Sequence, residues 1–161
     1  MHMKNEGRII ACDNHRNKLP LIEEGAARLG IRIIETRCRN SSIFDPELER
    51  TADRVLCDVP CSGLGVIAKK PDLRFKEPDD IATLPETQYN ILKNCSSYVK
   101  PGGLLMYSTC TLRASENEEV IRRFLIDFGD SFTLCSHGTR TFMPDTDDTD
   151  GFFTALIHRK S

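Results

Sequence analysis

Short apolar runs alternate along this chain with longer stretches of helical periodicity. Arg8-Ile9-Ile10-Ala11-Cys12-Asp13 reads as a buried strand closing on an acid. Leu19, Ile22, Ala26 and Leu29 recur at helical spacing, and Gly30 suits the position just past a helix end. Residues 31–36 form a second β-branched run. Asp45-Pro46 opens a loop or short helix. Val55-Leu56-Cys57 is a third strand ending at Asp58, and residues 60–79 read as a long loop. Ile81, Leu84, Ile91, Leu92, Cys95, Tyr98 and Val99 mark a helix, which Pro101-Gly102-Gly103 follows as a sharp turn. Leu104-Leu105-Met106-Tyr107 is a strand that stops at Ser108-Thr109-Cys110. Ser115 with Glu118 has the spacing of a capping box, ahead of an apolar face of Val120, Ile121, Phe124, Leu125 and Phe128. Residues 131–135 and 152–158 read as two last strands. Strands alternating with helices predict a mostly parallel sheet with helices on both faces. In such sheets ligands bind outside the carboxyl ends of the strands.

Composition narrows the picture. The length of 161 residues suits one domain. A net charge of −2 excludes a wholesale basic surface, so any grip on nucleic acid is local or comes from another domain. The seven cysteines are an odd number and no signal-peptide pattern precedes them, which points to a reducing cytoplasm and not to disulfides. Zinc has no paired knuckles to bind: Cys57 and Cys61 are close, while Cys12, Cys38, Cys95, Cys110 and Cys135 are scattered. Most read as small core residues. No apolar run reaches membrane-spanning length. The acidic stretch 145–151 lacks the final bidentate Glu of a calcium loop, with Leu156 in that place, and reads as a solvated loop. No metal and no membrane partner are expected.

The strand ends carry the candidate chemistry. Asp13 has two readings, an acceptor for the ribose hydroxyls of an adenine-containing cofactor or a helix N-cap. The third strand runs out into Asp58-Val59-Pro60-Cys61-Ser62-Gly63-Leu64-Gly65, the fourth into Tyr107-Ser108-Thr109-Cys110-Thr111-Leu112. If these strands are neighbours, their backbones lie about 5 Å apart, and Asp58, Cys61 and Cys110 meet in one crevice. Either cysteine alone reads as a core residue near a loop mouth. The two together, beside a carboxylate, point to chemistry.

These stretches carry a resemblance. The Asp58 to Gly65 segment, with Lys70-Pro71-Asp72 after it, resembles the fourth motif of the Sun/RsmB/NSUN family of RNA (cytosine-5) methyltransferases. Tyr107-Ser108-Thr109-Cys110-Thr111 with Glu116-Asn117-Glu118 resembles its sixth motif, and Asp150-Gly151-Phe152-Phe153-Thr154-Ala155 its C-terminal strand. The likeness covers nearly the whole chain and is strongest to the bacterial Sun/RsmB members, which act on small-subunit ribosomal RNA. It implies a Rossmann-like class I methyltransferase fold, S-adenosylmethionine as cofactor and RNA as partner. It implies Cys110 as the nucleophile that adds to C6 of cytosine, Cys61 in resolving the adduct, and Asp58 near both cofactor and base. Pro60 is expected to stiffen the loop that presents Cys61 and to line the cofactor site. The target base must leave its stack. Lys69, Lys70, Arg74 and Lys76 supply a local basic run, and Phe75 among them a face for base stacking. A plain solvated loop is the alternative reading of that run.

Two departures from the family pattern matter. No Gly-rich turn precedes Asp13, so residues 1–161 are expected to be a methyltransferase catalytic domain truncated at its N-terminus. The first strand of the sheet would then be missing, apolar strand edges exposed, and the preceding RNA-binding segment absent. Where the family's third motif places an Asp near the adenine amino group, this chain has Asn40, whose carbonyl still accepts a hydrogen bond. The competing reading is a non-catalytic remnant that binds RNA or a partner without cofactor. A DNA cytosine methyltransferase, which would use the Pro-Cys thiol as nucleophile, is the third.

Overall fold

The computed structural model describes residues 3–161, apart from the side chain of Pro78. Two compact units divide the chain, one ending at Ile43 and the other spanning Phe44–Ser161.

In the first unit β1 (Ile9–Asp13) pairs in parallel with β2 (Ile34–Cys38), from Ile9 opposite Ile34 to Asp13 opposite Cys38. The crossover is α1 (Leu19–Arg28), entered through a 3-10 turn at Arg16–Lys18 with Pro20 in its first turn, where a missing N–H costs nothing. Gly30, with φ +67°, ends it. The β2 strand starts later than its β-branched run suggests. The Ile31 amide closes the helix end on Ala26 O at 2.8 Å, and the Arg32 amide is taken by Asn5 Oδ1 at 3.1 Å.

The second unit contains β3 (Ala52–Asp58), α2 (Pro78–Ile81), α3 (Leu84–Tyr98), β4 (Val99–Thr109), α4 (Glu118–Phe128), β5 (Phe132–Phe142) and β6 (Phe152–Arg159). The strand order is β3-β4-β6-β5. The β3–β4 pair is parallel, joined by α3, whereas β6 runs antiparallel to both β4 and β5. The sheet is therefore mixed. A parallel return needs a crossover element, and residues 143–151 between β5 and β6 hold no helix.

The register lines up Leu105 with Ile157 and Tyr107 with Ala155, and these side chains are completely buried. Leu92 of α3 and Phe124 of α4 cover them. Phe124 in turn lies 5.1 Å from Phe128 and 5.3 Å from Phe132, centroid to centroid. Both long helices of this unit thus pack on one face. In the next row of the opposite face, Leu56, Met106 and Leu156 stand in register, and Leu56 is 67% exposed.

Three local expectations give way to tertiary structure. Pro101-Gly102-Gly103 is a bulge inside β4, not a turn before it: pairing steps from Ala52–Val99 to Arg54–Leu104. Gly102 takes φ +76°, and a Cβ on Gly103 would sit 2.9 Å from Asp53 O. The capping box at Ser115 does not form. Ser115 lies in a 3-10 turn and Asn117 is the N-cap of α4, its amide already committed to Thr109 and Thr111. Finally, β5 runs past Cys135 to Phe142, through a register shift at residues 135–138 where His137 has φ +53°.

Phe124 fills the centre of this core. Phe124→Ala is expected to lower the unfolding free energy by about 3–5 kcal/mol in urea titrations.

Candidate active site

The pairing of β3 with β4 places Asp58 opposite Ser108, so both strands end at the same edge. One further bond, Val59 N to Ser108 O at 3.2 Å, carries the ladder past the strand ends. The two chains then turn, and the sulfurs of Cys61 and Cys110 come to lie 3.1 Å apart, each half-buried. Asp58 is exposed at the end of β3, its Oδ1 accepting from Ser108 Oγ at 3.0 Å.

The loops on either side are stapled together by the residues that follow the two cysteines. Ser62 Oγ and Thr111 Oγ1 are hydrogen-bonded at 2.8 Å. Gly65 N donates to Cys110 O at 3.0 Å, and Gly65 O accepts from Gly151 N at 2.8 Å. A Cβ at residue 65 would lie 2.0 Å from Gly151 O, so only glycine lets the three segments meet. Thr109 Oγ1 donates to Asn117 Oδ1 at 2.6 Å, and Asn117 Nδ2 to Thr111 O at 2.9 Å.

Beneath the cysteines lies a buried polar cluster. Glu116 is wholly buried, and its Oε2 accepts from Ser62 N at 2.8 Å and Gln88 Nε2 at 2.9 Å. Gln88 also donates to Pro60 O at 2.9 Å. Arg113 Nε stands 3.7 Å from the other Glu116 oxygen. Tyr107 Oη donates to Glu116 O at 2.5 Å, and burial pushes that phenol up. Lys76 Nζ donates to Ser62 O at 2.9 Å.

Burial, and after it the neighbouring Cys110 sulfur, push the Cys61 thiol up to about 12. Cys61 therefore keeps its proton at neutral pH and can donate it in the sulfur–sulfur hydrogen bond.

The other sequence-derived residues fall into two groups. Around the loop, Lys69 Nζ pairs with Asp150 Oδ2 at 2.6 Å and Lys70 is exposed. Arg74 stacks 4.8 Å over the ring of Phe75, which is 70% exposed. Pro60 is exposed and holds Gln88 through its carbonyl. Asp13 and Asn40 belong to the first unit. Asp13 ends β1 and accepts from the His15 amide at 2.7 Å, with Lys18 at 3.6 Å. Chiefly that amide bond holds its carboxyl below the ordinary range. His15, not Asp13, is the N-cap of the 3-10 turn, so the capping reading of Asp13 fails. Asn40 Oδ1 accepts from Ser42 N at 3.0 Å, the geometry of a local turn.

Among the described residues no group of three or more His, Cys, Asp or Glu is arranged to hold a metal ion. No described helix is long and apolar enough to cross a membrane. Sequence reasoning missed Gln88 and the bonding roles of Ser62, Lys76, Thr111 and Glu116. Gln88 alone left a readable signal, a polar side chain within the apolar stripe of Leu84, Ile91, Leu92 and Cys95.

Comparison with known proteins follows this geometry. The model of the family described as 16S rRNA methyltransferase RsmB/F matches residues 1–158, and the chain belongs to that family. A curated Bacillus subtilis (strain 168) relative named "Probable ribosomal RNA small subunit methyltransferase B" is 39% identical across 98% of this chain and 39% of its own length. The chain thus spans about two fifths of that relative. A methyltransferase homolog protein from Pyrococcus horikoshii superposes with a TM-score of 0.82 at 31% identity, over 98% of this chain and 55% of that one. NSun6 from Pyrococcus horikoshii, solved with SFG, gives 0.81 at 26% identity, over 99% and 43%. The fold is the Rossmann-like α/β fold of class I methyltransferases.

Two measurements check this geometry. Gly65→Ala forces backbone against backbone and should cost about 1–3 kcal/mol or more of stability in denaturant titrations. The Cys61 thiol would ionise near 9.0 in the unfolded chain and near 12 in the fold. Its contribution to stability is complete below pH 9 and is lost between 9 and about 12. The difference in unfolding free energy between wild type and Cys61→Ser should shrink as pH rises through that window.

Proposed function

We propose that residues 1–161 form part of the catalytic domain of an S-adenosylmethionine-dependent methyltransferase acting on C5 of a cytosine in small-subunit ribosomal RNA, in the cytoplasm. The observation that carries this reading is the pair of sulfurs 3.1 Å apart just past two adjacent strand ends, where the Asp58 carboxylate accepts from Ser108 Oγ. Packing alone does not call for that arrangement, whereas addition of a thiolate to a pyrimidine requires a thiol of this kind. The names of the relatives support the RNA substrate. A structural neighbour solved with SFG, an analogue of the methyl donor, supports the cofactor.

Cytosine C5 is too weak a nucleophile to be methylated directly. Cys110 Sγ, as thiolate, adds to C6. The S–C6 bond forms as the C5–C6 double bond opens, and electron density moves to C5. S-adenosylmethionine supplies the electrophilic methyl group that C5 takes. Loss of the C5 proton to a base then restores the double bond and expels the Cys110 thiolate. Cys61, protonated and in contact with Cys110, is suited to the release step, since its S–H can hydrogen-bond the departing thiolate. Asp58 can hold the N3 edge of the ring by hydrogen bonding.

Two side chains of the first unit carry groups suited to ribose hydroxyls and an adenine amino group. Asp13, whose carboxyl is held ionised, can accept from the hydroxyls, and Asn40 can accept from the amino group through its carbonyl. In the second unit Asp58 and Pro60 are exposed at the end of β3, which leaves them accessible to a bound ligand. Lys70, Arg74 and Phe75 offer phosphate contacts and a stacking face. Lys69 can join them by exchanging its surface pair with Asp150, since such pairs are weak.

RNA carrying 5-fluorocytosine tests the chemistry. Fluorine cannot leave C5 as a proton does, so a denaturation-resistant protein–RNA adduct should accumulate with wild type and with Cys61→Ala, and vanish with Cys110→Ala. Adduct persisting in Cys110→Ala would contradict the assignment of the nucleophile.

A further inference from the structure

We propose that Glu116 is a positioning residue that fixes the spacing of the Cys61 and Cys110 sulfurs, by clamping the backbone on both sides of Cys61. This rests on the reading of those two cysteines as the working pair. Three backbone groups flank Cys61, and a side chain holds each, those of Gln88 and Glu116 being buried. Pro60 O accepts from Gln88, Ser62 N donates to Glu116, and Ser62 O accepts from Lys76. Two of these ties converge on one atom, because Glu116 Oε2 also accepts from Gln88 at 2.9 Å.

Glu116 itself belongs to the other loop. It lies in the 3-10 turn that follows Cys110, and its carbonyl is pinned by Tyr107 of β4. One carboxylate oxygen therefore ties the loop of Cys61 to the loop of Cys110. The bond between Ser62 Oγ and Thr111 Oγ1 runs alongside, but it joins two hydroxyls that rotate.

Stability alone does not call for a charge here. Glu116 is wholly buried, its Oε1 has no hydrogen-bond partner among the described residues, and Arg113 approaches that oxygen only to 3.7 Å. Burying a carboxylate so incompletely paired is costly, and an apolar side chain of similar volume would cost less. Its gain is geometric. Glu116 Oε2 accepts from two donors on different segments at once, which an apolar side chain cannot do.

Thiol–disulfide exchange with glutathione measures the spacing directly, without RNA or cofactor. Glutathione disulfide and the two protein thiols give one protein disulfide and two glutathione thiols, and the equilibrium ratio is the effective concentration of one cysteine at the other. Peptide mapping assigns the bridge to Cys61 and Cys110. Glu116→Ala should lower that ratio about tenfold, which raises the two-electron potential by about 30 mV. Glu116→Gln keeps an acceptor for Ser62 N and should stay within about threefold of wild type. If Glu116→Ala does not fold, Gln88→Leu, which removes the Pro60 and Glu116 bonds without touching a charge, should lower the ratio by about threefold or more. An unchanged ratio in folded Glu116→Ala, or in Gln88→Leu, overturns the proposal even if the melting temperature falls. A failure of the cytosine chemistry would look different: wild type would form no RNA adduct, while the glutathione equilibrium still responded to Glu116→Ala.

Discussion

The parallel pairing of β3 with β4 is the constraint on which the site depends. It brings two chain segments, about fifty residues apart in sequence, to one edge in a fixed register. Each segment needs only a few residues beyond its strand to deliver a sulfur to the same spot. The pairing is secured from below by the core of Leu92, Leu105, Tyr107 and Phe124. It is secured from above by the bonds of Ser62, Gly65 and Thr111. The sulfur contact is the result of a scaffold rigid on both sides.

The same constraint explains the polar interior. Loops that leave a sheet edge carry backbone groups that must find partners. Here Gln88, Glu116 and Asn117 supply them, all three buried. The strand ends are thus held by side chains from α3 and from the turn before α4. Accessible chemistry sits on top of that layer: Asp58 and Pro60 are exposed, and Cys61 and Cys110 half-exposed. Site and core share one network, so substitutions beneath the cysteines affect spacing as well as stability.

Much of this was legible in the chain itself. The short apolar runs of β1, β3, β4 and β6 and the helical stripes of α1, α3 and α4 stand out because burial in a core leaves such patterns. The two cysteines stood out because each lies within a few residues of the end of an apolar run. What stayed hidden was whatever depends on a partner segment. Pro101-Gly102-Gly103 has the composition of a turn, yet pairing with β3 absorbs it as a bulge. Ser115 has the spacing of a cap, yet Asn117 and Glu116 are drawn into bonds with Thr109 and Ser62. Ser136-His137-Gly138 interrupts the alternation that would have announced the second half of β5. Lys76 reads as one more surface cation, but it turns inward to Ser62 O.

The central claim is that two sulfurs share one cleft that a small reagent can enter. Dibromobimane, which alkylates two neighbouring thiols and fluoresces once both have reacted, tests it most directly. The account predicts rapid fluorescence from the native chain, a single bridge mapped to Cys61 and Cys110, and loss of that signal with Cys61→Ser or Cys110→Ser. A bridge between other cysteines, or no bridge while each of the two is alkylated separately, would contradict it.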